Sequence, residues 1–414
     1  MLELIFLRFF LALCSNYILV LRFMSLAFLY LIIVLFDSGM YLFKSCITLL
    51  SLWLMMMILI SVNFVDQRKL LLNIFILLLI ILEVCFFCDS LIIFYLIFEC
   101  SVVPVFLIIF GWGYQSSRID AGIYILRYTV LFSFPLLIII ILLGVFTNFN
   151  SLISFIFFTS AFMVKFPLFG VHLWLPRAHV EAPVYGSIIL AGVILKLGGY
   201  GLIKLGLLLG DLIIKFSLHF IVYRIVGSLY VSFICLLQRD MKILIAYSSI
   251  VHIGLVFSGL LTIREVCVNG RLIIMIGHGL CSSGLFFMVG SIFDRTHRRR
   301  ILINRGLTCI LPLFSLFWFI FCSSNLSFPP CLNFVGEILL LVGIVSWNFY
   351  IIFLLFFLGF FSSLYRIFLF SFLQQGGGVL GMRFKILTLK EFLVILFHWV
   401  PLNVLILDLK FMFW

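Results

Sequence analysis

Apolar residues run along this chain in long stretches, separated by short polar segments such as Asp37 to Lys44, Asp66 to Lys69, Tyr114 to Asp120, Arg264 to Arg271 and Arg295 to Arg305. Period-two alternation is absent, which argues against a β-barrel. A segment in hydrocarbon must satisfy all its backbone N–H and C=O groups internally, and a helix does so. Each apolar run therefore predicts a membrane helix. The stretch from Tyr128 to Val164 carries no charge and is too long for one span. Thr147-Asn148-Phe149-Asn150-Ser151 offers a turn in its middle, so two helices are expected there. The start, Met1 to Leu21, is read as the first membrane helix rather than a signal peptide, because further spans follow it. At about 20 residues per span plus about nine per connection, the chain holds about 14 helices. The expected fold is an all-α polytopic membrane protein with about 13–14 transmembrane helices.

Composition supports this and excludes the soluble classes. Of 414 residues, 65% are apolar and 10% charged, with a mean hydropathy of +1.37. A soluble domain is about half apolar and a quarter charged. The net charge of +12 would suggest nucleic acid in a soluble domain. Here the surplus Lys and Arg fall mostly between apolar runs, where topology and anionic lipid headgroups account for them, so no nucleic-acid binding is expected. The 11 cysteines are scattered. Cys85-Phe-Phe-Cys88 has no second pair or nearby His to complete a site, so no metal or disulfide framework is expected. The 52 Phe against 9 Pro, with other residues whose codons carry T at the second position, point to an organelle genome.

Chemistry must come from whatever interrupts the apolar runs. A charge at membrane depth costs roughly 3 kcal/mol on insertion scales, so Glu99, Lys165, Lys196 and Glu337 together cost on the order of 12 kcal/mol before pairing. A passive scaffold has no need of them. Glu99 sits in LIIFYLIFECSVVPVF, with Pro104 following; Glu83 and Asp89 lie closer to polar punctuation and read as boundary charges. In AFMVKFPLFGVHLWLPRAHVEAP, Lys165 is followed by Pro167, Gly170 and Pro176. An interrupted helix at membrane depth is tolerated where it is buried in protein or lines a water-filled cavity. His172 would face the same way as Lys165 if the helix ran through, and Pro167 is the expected break. In LKLGGYGLIKL, Lys196 and Lys204 can edge one face, and Gly198, Gly199 and Gly201 allow close helix approach. With no acidic residue in its own helix, Lys196 depends on water or on groups of other helices for its charge. His252 follows Ser248 and Ser249, and His278 precedes Ser282 and Ser283. Each histidine reads either as a structural donor or as a relay. PPCLNFVGEILLL carries a second break at Pro329 and Pro330, with Glu337 beyond it. Burial penalises the charged form of lysine and carboxylate alike, so groups of both kinds can exchange protons. Proton translocation fits better than a Na⁺ pathway, which would prefer clustered oxygens to lysines. Lys204 reads equally well as a snorkelling charge. His172, Lys204 and Ser249 are secondary candidates, and no metal site is expected.

These segments, above all VKFPLFGVHLWLPRAHVEAP with LKLGGYG, resemble the chain 4 family of mitochondrial NADH-ubiquinone oxidoreductase, the respiratory complex I, from about residue 90 to 370. The resemblance implies an antiporter-like, proton-pumping membrane subunit of the inner mitochondrial membrane, with two inverted five-helix repeats that each hold a broken helix. It places N-terminal helices at 1–69, the first repeat at 70–210, the second at 211–370 and a C-terminal helix region at 371–414. Glu99 would be the partner of Lys165, Lys196 the central lysine, His252 and His278 the axis histidines, and Glu337 the terminal carboxylate. No cofactor is expected in this chain; flavin, iron-sulfur clusters and ubiquinone belong to partner subunits. The expected partners are the other complex I membrane subunits, especially the antiporter-like chains 2 and 5, together with anionic lipid such as cardiolipin. The alternatives are a stand-alone cation/proton antiporter and a structural assembly subunit.

Overall fold

The structure is a computed structural model describing residues 17–37, 42–62, 68–142, 151–206, 210–376 and 386–409. Among these residues the chain is helical with no strand; the nearest approach to one is a single antiparallel bridge between Asp240 and Arg300. Nine helical segments among the described residues are long and apolar enough to cross a membrane, and four shorter apolar helices accompany them. The first described residue is Tyr17, and the turn expected at Thr147 to Asn150 lies outside the described residues.

The chain forms two compact units, residues 1–165 with 181–212 and residues 166–180 with 213–414. The first contains α1 (Tyr17–Asp37), α2 (Leu42–Ser61), α3 (Arg68–Phe87), α4 (Leu91–Cys100), α5 (Val102–Trp112), α6 (Arg118–Leu142) and α7 (Leu152–Lys165). After α8 (Trp174–Glu181), whose residues up to Val180 belong to the second unit, it resumes with α9 (Val184–Ile189), a π-helical turn over Leu190–Ile194 and α10 (Leu195–Gly206). Together α4 and α5 make one span, from Leu91 to Trp112, interrupted at Ser101. Pro104 supplies the reason: it has no N–H for the Cys100 carbonyl and its ring crowds that oxygen. The packing of α10 on α7 relies on Gly201, where a Cβ would run into the Phe162 ring, the close approach that small residues permit between membrane helices.

The second unit continues with α11 (Gly210–Leu237) from Ile213 onward, α12 (Met241–Leu261), α13 (Glu265–Thr296), α14 (Leu307–Ile310), α15 (Pro312–Asn325), α16 (Leu332–Trp347), α17 (Ile352–Gln374) and α18 (Leu389–Val404). Its centre is α13, enclosed along its apolar span and packed against α12, α15, α16 and α18. Small residues make this possible: at Gly277 a Cβ would collide with the Asn333 amide of α16. The outer side of α17 carries Phe353, Phe356 and Phe360, each at least half exposed, as a lipid-facing surface requires. Arg271, read from sequence as polar punctuation, lies inside α13 and is buried.

Candidate functional site

In the first unit, Glu99 is the penultimate residue of α4, beside the interruption at Ser101. Lys165 ends α7 and is 1% exposed. Its ammonium donates to the Phe98 carbonyl, lies 3.4 Å from Ser101 Oγ and 3.7 Å from Glu99 Oε1, and sits 3.2 Å from the Phe98 ring centroid. The structure therefore brings Glu99 and Lys165 together. Carbonyl, hydroxyl, aromatic face and carboxylate jointly replace the water that a buried ammonium loses. A proton can reside on either member of the pair.

Lys196, 2% exposed, is the second residue after the π-helical turn and donates to the carbonyl of Ala191 within it. Part of the stabilisation of its charge therefore comes from its own chain segment, not only from water and other helices as the sequence suggested. A π-turn widens the helix by one residue per turn and often marks a functional position. The half-buried Lys204 donates to the Cys88 carbonyl just past α3 and lies 4.7 Å from the Phe94 ring centroid, an anchoring role at a helix C-terminus. Glu83, read as a boundary charge, is buried at 5% exposure, whereas Asp89 is exposed and pairs with Lys44 at 3.3 Å.

The second unit contains both breaks. Helical structure stops at Lys165 and restarts at Trp174, with Pro167 in the gap. Arg224 of α11, fully buried, donates to the Pro167 carbonyl that the break frees. His172 lies inside the gap, its Nδ1 accepting from Gly170 N–H at 3.3 Å. The helix ends at Lys165, so the break expected at Pro167 is present and the condition for a shared face of Lys165 and His172, a helix running through, is not met. The other break separates α15 from α16 and contains the cis Pro329–Pro330 peptide. Asn333 Nδ2 donates to the Ser324 carbonyl across it at 3.1 Å.

Close to this second break is a buried cluster. His252 of α12 stands with Nδ1 3.0 Å from Glu337 Oε1. Its Nε2 meets Arg366 Nη2 of α17 at 2.6 Å, and Arg366 Nη2 is 3.8 Å from Glu337 Oε1. The His278 ring of α13 is centred 5.4 Å from that of His252. The Ser249 hydroxyl donates to the Ala246 carbonyl of its own helix at 2.7 Å, and Ser282 donates likewise to the His278 carbonyl at 2.6 Å. Sequence reasoning missed Arg224 and Arg366. The available signal was a lone arginine inside an apolar run, by the cost argument that had singled out the lysines.

Broken helices and paired ionisable groups within apolar spans define a multi-pass helical membrane protein of the antiporter-like class. Residues 88–362 match the family described as NADH:quinone oxidoreductase/Mrp antiporter, transmembrane. Among curated relatives, NADH-ubiquinone oxidoreductase chain 4 of Aedes aegypti is 48% identical, over 77% of this chain and 75% of its own length. Chain 4 of Ceratitis capitata is 41% identical over 88% and 86%. The chain belongs to the NADH-ubiquinone oxidoreductase chain 4 family. In fold it is similar to a chain of respiratory complex I from Thermus thermophilus, with a TM-score of 0.86 at 20% identity, covering 99% of this chain and 96% of that one.

Proposed function

We propose that this chain is a proton-translocating membrane subunit of NADH:ubiquinone oxidoreductase, respiratory complex I, in the mitochondrial inner membrane. The observation that carries the reading is a carboxylate beside a basic group within the apolar spans of each unit: Glu99 with Lys165 in the first, and Glu337 with His252 in the second. Such pairs cost more to bury than a scaffold would tolerate, and each can hold or release a proton with a modest change of partners. Glu99 and Lys165 form the first station of the relay, Lys196 the central one, His252 and His278 the next, and Glu337 the last. His172 and Lys204 support the relay by holding its surroundings. The interrupted helices at Pro167 and at Pro329–Pro330 free backbone carbonyls where a proton path requires polar groups. In this reading the first inverted repeat spans 70–210, with the break at Pro167, and the second 211–370, with the break at Pro329–Pro330.

The redox chemistry, with flavin, iron-sulfur clusters and ubiquinone, resides in partner subunits. The neighbours are other membrane subunits of the complex, especially the antiporter-like chains 2 and 5. The basic run Arg295, Arg298, Arg299 and Arg300 suits an anionic lipid such as cardiolipin. Native purification through a tag on this chain tests the proposal. It should recover flavin and iron-sulfur proteins with NADH-to-quinone activity. Recovery of the chain alone, exchanging cations for protons in vesicles, would favour a stand-alone antiporter.

A further inference from the structure

Arg366 is the one feature of the His252 cluster that the relay does not use, and its chemistry constrains the histidine. A guanidinium only donates hydrogen bonds. Its 2.6 Å contact with His252 Nε2 therefore requires that nitrogen to be the acceptor, so the single proton of the neutral ring sits on Nδ1. That nitrogen stands 3.0 Å from Glu337 Oε1. The other groups facing the ring are its neighbour His278 and Asn325 of α15. Arg366 itself is 5% exposed and lies beside the Tyr365 ring, 5.6 Å from its centroid.

We infer that Arg366 is a positioning residue that gates the proton occupancy of His252, holding the Nδ1-protonated form and closing Nε2 to an incoming proton until the guanidinium moves toward Glu337. The inference rests on the relay reading above. The same Nη2 atom is 2.6 Å from the histidine and 3.8 Å from the carboxylate, so a movement of about 1 Å exchanges one partner for the other, within the reach of a long side chain. When Glu337 has released its proton, its negative charge draws Arg366 away from Nε2. The ring then accepts one proton at Nε2 from the His278 side and passes the Nδ1 proton to Glu337, remaining neutral with its proton on Nε2. Once Glu337 is neutral it attracts Arg366 less, and the guanidinium returns. Its renewed contact requires an unprotonated ring nitrogen on that side, so a half-turn of the ring about Cβ–Cγ turns the protonated Nε2 toward Glu337 and the free Nδ1 toward Arg366, and the half-turn of the next cycle restores the starting orientation. One proton enters and one leaves in each cycle, and a second cannot follow until Glu337 discharges.

The test uses the whole complex in sealed vesicles, with protons translocated per NADH oxidised and passive proton leak as readouts. Lysine also only donates, while the neutral glutamine amide can either donate or accept. Arg366→Gln should lower protons per NADH more than it lowers turnover and raise the leak several-fold, and Arg366→Lys should restore both toward wild type. An Arg366→Gln complex with unchanged protons per NADH and unchanged leak would overturn the inference. The wild-type complex gives an independent readout that needs no Arg366 variant: the infrared ring bands of His252, identified by their loss in His252→Gln, should report a neutral ring, and a doubly protonated ring would refute the gate. Glu337→Gln separates the two proposals. If it lowers translocation while Arg366→Gln does not, only the gate fails; if Glu337→Gln pumps normally, the relay fails.

Discussion

Lys165 Nζ stands 3.7 Å from Glu99 Oε1 and donates to the carbonyl of Phe98, the residue immediately before that glutamate. The interruption at Ser101 thus presents a carboxylate, a carbonyl and a hydroxyl to one buried ammonium. Removing one member of a buried pair leaves the other uncompensated, at about 3–5 kcal/mol. Glu99→Gln should therefore lower both the thermal stability of the assembled complex and its proton translocation. Adding Lys165→Met should restore stability without restoring translocation. Calorimetric melting of the two complexes checks the first outcome and vesicle acidification the second.

Gly277 shows how closely the second unit is packed. Gly277→Val would drive methyl groups into the Asn333 amide and displace its bond to the Ser324 carbonyl across the break. Overpacking costs about 1–3 kcal/mol, and leaving the buried Asn333 amide N–H without its acceptor costs about as much again. The yield of assembled complex should fall. Gly359 has open space around it, so Gly359→Ala should assemble at wild-type yield, and blue-native electrophoresis compares the two.

Glu391 anchors α18. Its carboxylate receives Arg295 at 2.7 and 3.0 Å and completes a capping box with Thr388. Glu391→Ala removes a two-point charged contact and a cap, together about 2–4 kcal/mol. Limited proteolysis should cut near Leu389 faster in the variant than in the wild type.

The breaks were legible because proline's missing N–H acts locally: Pro167 and Pro329–Pro330 interrupt helices wherever the chain folds. The pairing of Glu99 with Lys165 was legible because a buried charge requires a partner and few were available. Arg366 and Arg224 were not legible because arginine keeps its charge and their effect depends on which ring or carbonyl tertiary packing places against them. The π-turn before Lys196 is built from ordinary apolar residues and one glycine, Leu190–Ile194, so its composition carries no signal of its own. Ser249 bonds a carbonyl one turn back in its own helix, as a helical serine readily does, a bond that its nearness to His252 in sequence does not reveal.

Lys196 is the central station of the account, buried at 2% exposure and held to the Ala191 carbonyl of the π-turn. Lys196→Met keeps most of the side-chain volume and removes the titrating group. The decisive measurement is proton translocation by the assembled Lys196→Met complex in sealed vesicles during NADH oxidation. The account predicts a complex that is present but moves fewer protons, with NADH-to-quinone turnover lowered through coupling; an assembled variant that pumps as the wild type does would contradict it.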